Sequence, residues 1–238
     1  MSEIPSVPTS PPSSAVNFSY TTDTSKLGLT FSLVNMQKSI SDVTTGWNED
    51  NLNLSAEAKM WQYRNQNVGK ILELTEIDSN MTKPTTIQIP TRDGKPLDNW
   101  KQMPADQQEA TWKEAISGYK YEKNAQGDWV MARDASGQLI ESDLKLGEVS
   151  MGGWNFMRDY EGMSQRAYNE KDGSDDTIRS RNQTMINNIM SANSNKLSQA
   201  TTKSNFGIQQ LQSAVNTTQQ LFTELFSTLK QLSNNISA

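Results

Sequence analysis

The densest group of oxygen donors in the 238-residue chain is Asp172-Gly173-Ser174-Asp175-Asp176. A calcium loop needs alternating oxygen ligands, a central glycine and a closing glutamate in fixed register. These residues do not fall in that register, so the segment from Asn169 to Asp176 is expected to be a solvated polar loop. No thiolate or imidazole can assist it, because the chain has no Cys and no His. Their absence removes disulfides and thiolate metal sites, and with them the commonest general base and metal ligand.

The remaining candidates for chemistry are weak. The carboxylates offer no pair that the sequence places across a cleft. Gly94, Gly127, Gly137, Gly152 and Gly153 make no phosphate-cradling GxxxxGK[ST] or GxGxxG signature. Asn53 to Ser55 and Asn182 to Thr184 match the glycan-acceptor triplet but lie on predicted helices, whereas acceptors favour surface loops. Among the six tryptophans, Trp47 and Trp61 fit a helical seam, and Trp112, Trp129 and Trp154 fit a small packed centre. The expectation is therefore a non-enzymatic protein with no catalytic residue, no metal and no cofactor.

Composition points the same way. Hydrophobic residues make up 34 % of the chain and the mean hydropathy is −0.71, a thin supply of core for this length. A net charge of −5 without basic clusters gives no reason to expect nucleic acid as a partner. No stretch is apolar for the length of a membrane span. The first residues, MSEIPSVPTSPPSSAVNFSYTTDTSK, lack the basic start and apolar centre of a secretory signal peptide. Residues 1–26 are expected to be a disordered leader, with an unfolded export signal as the functional alternative.

The elements follow from periodicity. Leu29, Leu33, Met36, Ile40, Val43 and Trp47 alternate at fours and threes, an a/d seam. Leu54, Trp61, Val68 and Ile71 continue it. Residues 27–80 thus form an N-terminal heptad region, read as one long helix or as two with a break near Asn51 and Ser55 as the second N-cap. A variable middle, 81–176, opens with three prolines and a short edge strand at Thr86 to Ile89. Pro104 starts a short helix that ends near Gly118. YKYEKNAQGDWVM reads as a β-hairpin, with a further short strand at Leu139–Ile140. Leu144 to Tyr168 is mixed, broken at Gly152–Gly153. Residues 177–238 form a C-terminal helix whose stripe begins with Ile178, Met185, Ile189 and Ala192, with Gly207 allowing a local bend.

The C-terminal stripe is the strongest signal. Ile208, Leu211, Val215, Phe222, Leu225, Leu229 and Leu232 keep the a/d rhythm on a helix whose polar positions are mostly Gln, Asn, Ser and Thr. Each buried side chain of this kind contributes about 1.5–3 kcal/mol, too much to leave wet. Two partners remain open: the N-terminal seam of Leu29, Leu33, Met36, Ile40 and Val43, or neighbouring subunits. The expected fold is mainly α: long N- and C-terminal helices in an antiparallel coiled-coil hairpin, with a small α+β insertion.

The leader, the two heptad regions, the variable middle and NFGIQQLQSAVNTTQQLFTEL together resemble the secreted filament proteins of bacterial type III secretion systems, of the EspA and SseB kind. AEAKMWQYRNQNVGKI is a fainter likeness. The resemblance covers about two-thirds of the chain in architecture but only some twenty residues in letters. It implies a secreted, extracellular filament or translocator subunit that self-assembles through coiled-coil helices. It also implies a small cytoplasmic chaperone and other apparatus proteins as partners. The middle is larger, and the first helix less apolar, than in that family. A needle-tip protein or an effector delivered by the same route therefore stays open.

Overall fold

The computed structural model describes the backbone of residues 26–167 and 175–236, and the side chains of residues 48–167, 175–228, 230 and 231. The leader and most of the polar loop lie outside these residues, as do the side chains of Leu29, Leu33, Met36, Ile40, Val43, Trp47, Leu229 and Leu232. The chain divides into two units, Met1–Gly46 with Thr218–Ala238, and Trp47–Thr217. In the first, the described backbone is helical throughout: the opening part of α1 (Lys26–Leu74) and the closing part of α4 (Asp175–Ile236).

In the second unit, α1 runs without a break through Asn51, and Ser55 sits in its interior rather than at an N-cap. Neither Gly nor Pro lies between Trp47 and Val68 to interrupt it. Ala56, Met60, Trp61, Val68, Ile71 and Leu74 bury one face. β1 (Pro84–Arg92), β2 (Lys95–Pro96) and β5 (Leu144–Gly152) form an antiparallel sheet in the order β2-β1-β5. The predicted edge strand is thus the central strand. Asp93 (φ 51°) and Gly94 (φ 74°) make the tight turn into β2, both residues having the positive φ such two-residue turns require.

That turn fixes which backbone groups face where. Arg92 and Lys95 flank it and form a hydrogen-bonded pair, so alternate residues of β1 (Thr85, Ile87, Ile89, Thr91) point their N–H and C=O groups at β5. Thr86, Gln88 and Pro90 point the other way. Pro90, which has no N–H, therefore costs no sheet bond. α1 supplies partners for its neighbours: Asn67 Nδ2 donates to the Gln88 carbonyl (2.6 Å), Gln88 N–H donates to Asn67 Oδ1 (3.0 Å), and Lys70 Nζ donates to the Thr86 carbonyl (3.1 Å).

α2 (Ala105–Ser117) begins after Pro104 and ends at Gly118 in the left-handed conformation, as expected from sequence. β3 (Tyr121–Lys123) and β4 (Trp129–Met131) pair as the predicted hairpin, and Arg133↔Leu139 and Tyr119↔Glu141 bridges bring in the third segment. The three segments close on themselves: Ala132 N–H donates to Lys120, Lys120 N–H to Ile140, and Ile140 N–H to Ala132. Ala110, Tyr121 and Met131 form a small core beneath. α3 (Gly153–Asp159) follows β5 directly.

The antiparallel coiled-coil hairpin with a small insertion is not the architecture. An antiparallel sheet occupies the middle of the chain, and one long helix ends it. The reason lies in where the core side chains come from. Met81, Ile87, Ile89, Trp100, Trp112, Phe156, Met157, Tyr160 and Met163 all belong to the middle, whereas the described residues of α4 add only Ile186 and Ala200 to the buried cluster. Heptad spacing defines an apolar stripe but not what covers it. Here the sheet, α2 and α3 share one core with α1 and α4, where a helix-on-helix seam around a separate small centre was expected.

Candidate functional site

α4 has two stretches of different character. The first is seated on the body. Ile178, Asn182, Ile186, Asn193 and Ala200 are buried along one face. Of the expected positions, Ile178 is buried, Met185 and Ile189 are partly buried, and Ala192 is exposed. The two buried asparagines were invisible to an apolar pattern. Asn182 Oδ1 accepts from Ala167 N–H (2.7 Å), and its Nδ2 donates to the Ser79 carbonyl (2.7 Å). Asn193 Nδ2 donates to Glu161 Oε2 (2.8 Å). Satisfied amides in an apolar interface fix its register, because sliding would strand them.

Glu161 is the centre of this seating. Its side chain is fully buried and receives Arg64 Nε and Nη2 at 3.0 and 3.1 Å. Arg64 also donates to the Tyr160 carbonyl (3.2 Å). The Arg64 guanidinium lies 4.4 Å, and the Lys196 ammonium 4.2 Å, from the centre of the Trp61 ring. Further along, Arg179 donates to the Thr75 carbonyl and Asn65 Nδ2 to Ser194 Oγ. Gly207 ends the seated stretch: a Cβ there would meet Asn51 Oδ1 at 2.7 Å and Leu54 Cδ1 at 3.2 Å.

Beyond Lys203 the helix changes. Ser204 to Thr223 contains no charged residue, yet Phe206, Ile208 and Val215 are exposed. Leu211 is half-buried between them. In the other unit, Leu221 and Phe226 are exposed, Phe226 at 63 %, while Phe222 and Leu225 are half-buried. Five of the seven C-terminal residues predicted for helix pairing thus have described side chains, and all five keep solvent contact. Phe206 and Leu221 lie off the a/d line and outside the predicted pairing set. Their signal was available as large apolar residues among mostly uncharged polar ones.

The middle of the chain offers no comparable constellation. Trp129 packs with the small Tyr121–Met131 cluster, and Trp154 packs against the main core, so they do not line a common site. Trp61, Trp100 and Trp112 are buried in the main core. Among the described residues, no group of acidic side chains is placed to hold a metal ion. Asp106 is a structural carboxylate: hydrogen bonds from Lys123 Nζ (2.8 Å) and Trp129 Nε1 (3.0 Å) hold its pKa down at about 2. Burial pushes the Tyr121 phenol up to about 12. Asp106 ties the β3–β4 hairpin to α2, and the Tyr121 hydroxyl ties it to α1 by donating to Asn53 Oδ1 (3.1 Å).

No family model, curated protein or solved structure matches the chain. No helix among the described residues is long and apolar enough to cross a membrane.

Proposed function

We propose that this protein is a secreted structural component of a bacterial type III secretion apparatus, a filament or translocator subunit that works by burying helix surface against other subunits. One observation carries the reading: α4 leaves Phe206, Ile208 and Val215 exposed within residues 204–217, a stretch without charge. Apolar side chains in that number on one surface helix call for a covering partner. An uncharged stretch of helix also suits contact between identical copies, since like charges repel where a surface meets itself. A small chaperone would cover the same residues before export, and other apparatus proteins would meet them afterwards. The resemblance in NFGIQQLQSAVNTTQQLFTEL supplies the secretion context.

A second reading, a needle-tip protein of the same apparatus, is favoured by one feature. The sheet, α2, α3 and the β3–β4 hairpin form a substantial mixed body between two long helices, larger than a filament subunit's insertion. The test is secretion together with sedimentation of the full chain and of an Ile208→Asp, Val215→Asp, Phe226→Asp variant. Concentration-dependent association of the wild type, lost in the variant, supports the reading. Equal monomeric behaviour with unchanged secretion overturns it.

A further inference from the structure

The sheet has one edge covered and one edge open. β1 is shielded by Asn67 and Lys70 on one side and by β5 on the other. β5 is the terminal strand. Lys145, Gly147, Val149 and Met151 turn their backbone groups to β1, so Leu146, Glu148 and Ser150 turn theirs outward. None of those outward groups is hydrogen-bonded to a described residue. Glu148 and Ser150 are exposed, while Leu146, Val149 and Met151 pack on the core and remain partly accessible. The open part of the strand, from Leu146 to Ser150, is a template for an added strand.

We propose that β5 receives residues 15–22, Ala-Val-Asn-Phe-Ser-Tyr-Thr-Thr, of a second copy of this chain, which adds a fourth strand to the sheet. The proposal rests on the self-assembly reading and adds a second contact to it. Val16, Phe18 and Tyr20 alternate with Asn17, Ser19 and Thr21, the period of a strand with one apolar face. That face extends the row of Val149 and Met151. No proline lies between Pro12 and Pro84, so every residue of the segment can donate its N–H. It carries no charge, so it fits beside both Lys145 and Glu148. A second β5 is a poorer occupant, because symmetric registers centred on Glu148 or Lys145 oppose like charges.

The absence of cysteine makes the test clean. Full-length Ser19→Cys chain is mixed with a size-tagged chain carrying Glu148→Cys or Ser150→Cys, then oxidised, with Ser136→Cys at an exposed turn as control. The expected result is a mixed disulfide at 148 or 150, background only at 136, and loss of the product when Phe18→Pro removes a strand donor. Sedimentation of the same samples separates this proposal from the assembly reading. Association without the 148 or 150 disulfide overturns the strand contact and leaves the helix contact standing. Monomeric behaviour at every concentration overturns both. A disulfide that forms only within one chain, in a Ser19→Cys, Ser150→Cys double variant, overturns the second-copy donor.

Discussion

Arg64 and Glu161 meet through two hydrogen bonds, 3.0 and 3.1 Å long, with the carboxylate wholly withdrawn from solvent. They join α1 to the turn after α3, and Asn193 joins α4 to both. Breaking a buried pair is costly because the survivor keeps its charge without a partner. Glu161→Ala is expected to lower stability by about 3–5 kcal/mol, measured by urea unfolding. Arg64→Met with Glu161→Leu should cost less than the sum of the two single changes, since no orphaned charge remains. Additive losses would show that the pair is not coupled.

Asn67 closes the covered edge of β1. Replacing it by Ala leaves Gln88 N–H and C=O without their partners, at a cost of about 1–3 kcal/mol for the unsatisfied groups. The exchange of the Gln88 amide proton should accelerate more than that of Ile87 or Ile89, whose amides face β5. Uniform acceleration along β1 would contradict the assigned register.

Gly207 marks the closest approach of α4 to Asn51 and Leu54. Ala in a helix interior is normally favoured over Gly by about 1 kcal/mol. Here that gain should be offset, and Gly207→Val should destabilise the protein outright, by about 1–3 kcal/mol from overpacking. A stabilised Gly207→Val variant in thermal unfolding would rule out the close approach.

Asp106 makes the attachment of the β3–β4 hairpin acid-sensitive. Its pKa falls from 3.8 to about 2 in the folded protein, so its contribution is fully present above pH 3.8 and lost as pH falls through about 2. The indole N–H resonance of Trp129 should shift over that window, and Asp106→Asn should abolish the pH dependence. A titration unchanged in Asp106→Asn would assign it to another group.

The exposed α4 residues should behave differently from these. Ile208 and Val215 are 43 % and 39 % exposed, so Ile208→Asp and Val215→Asp should lower monomer stability by only about 1 kcal/mol. Self-association, measured by sedimentation, should fall sharply. Parallel losses of both would show that the residues serve the fold rather than a partner.

Periodicity and turn chemistry are local, and they fixed the local elements: α2 between Pro104 and Gly118, the β3–β4 hairpin around NAQG, and the long helices. They depend on φ restriction, missing donors and side-chain spacing within a few residues. β5 was missed because both faces of LKLGEVSMG are partly covered, which blurs the alternation that marks a strand. The apolar stripe of α4 was also visible in the sequence, but its covering was not. Only the tertiary structure joined the middle to residues of α1 and α4 in one core, seated α4 through Asn182 and Asn193, and left Ile208, Val215 and Phe226 partly in solvent. Burial depends on residues distant in sequence competing for the same surface. A stripe of leucines states that it needs a partner, whereas the choice of partner is made by everything else that folds beside it.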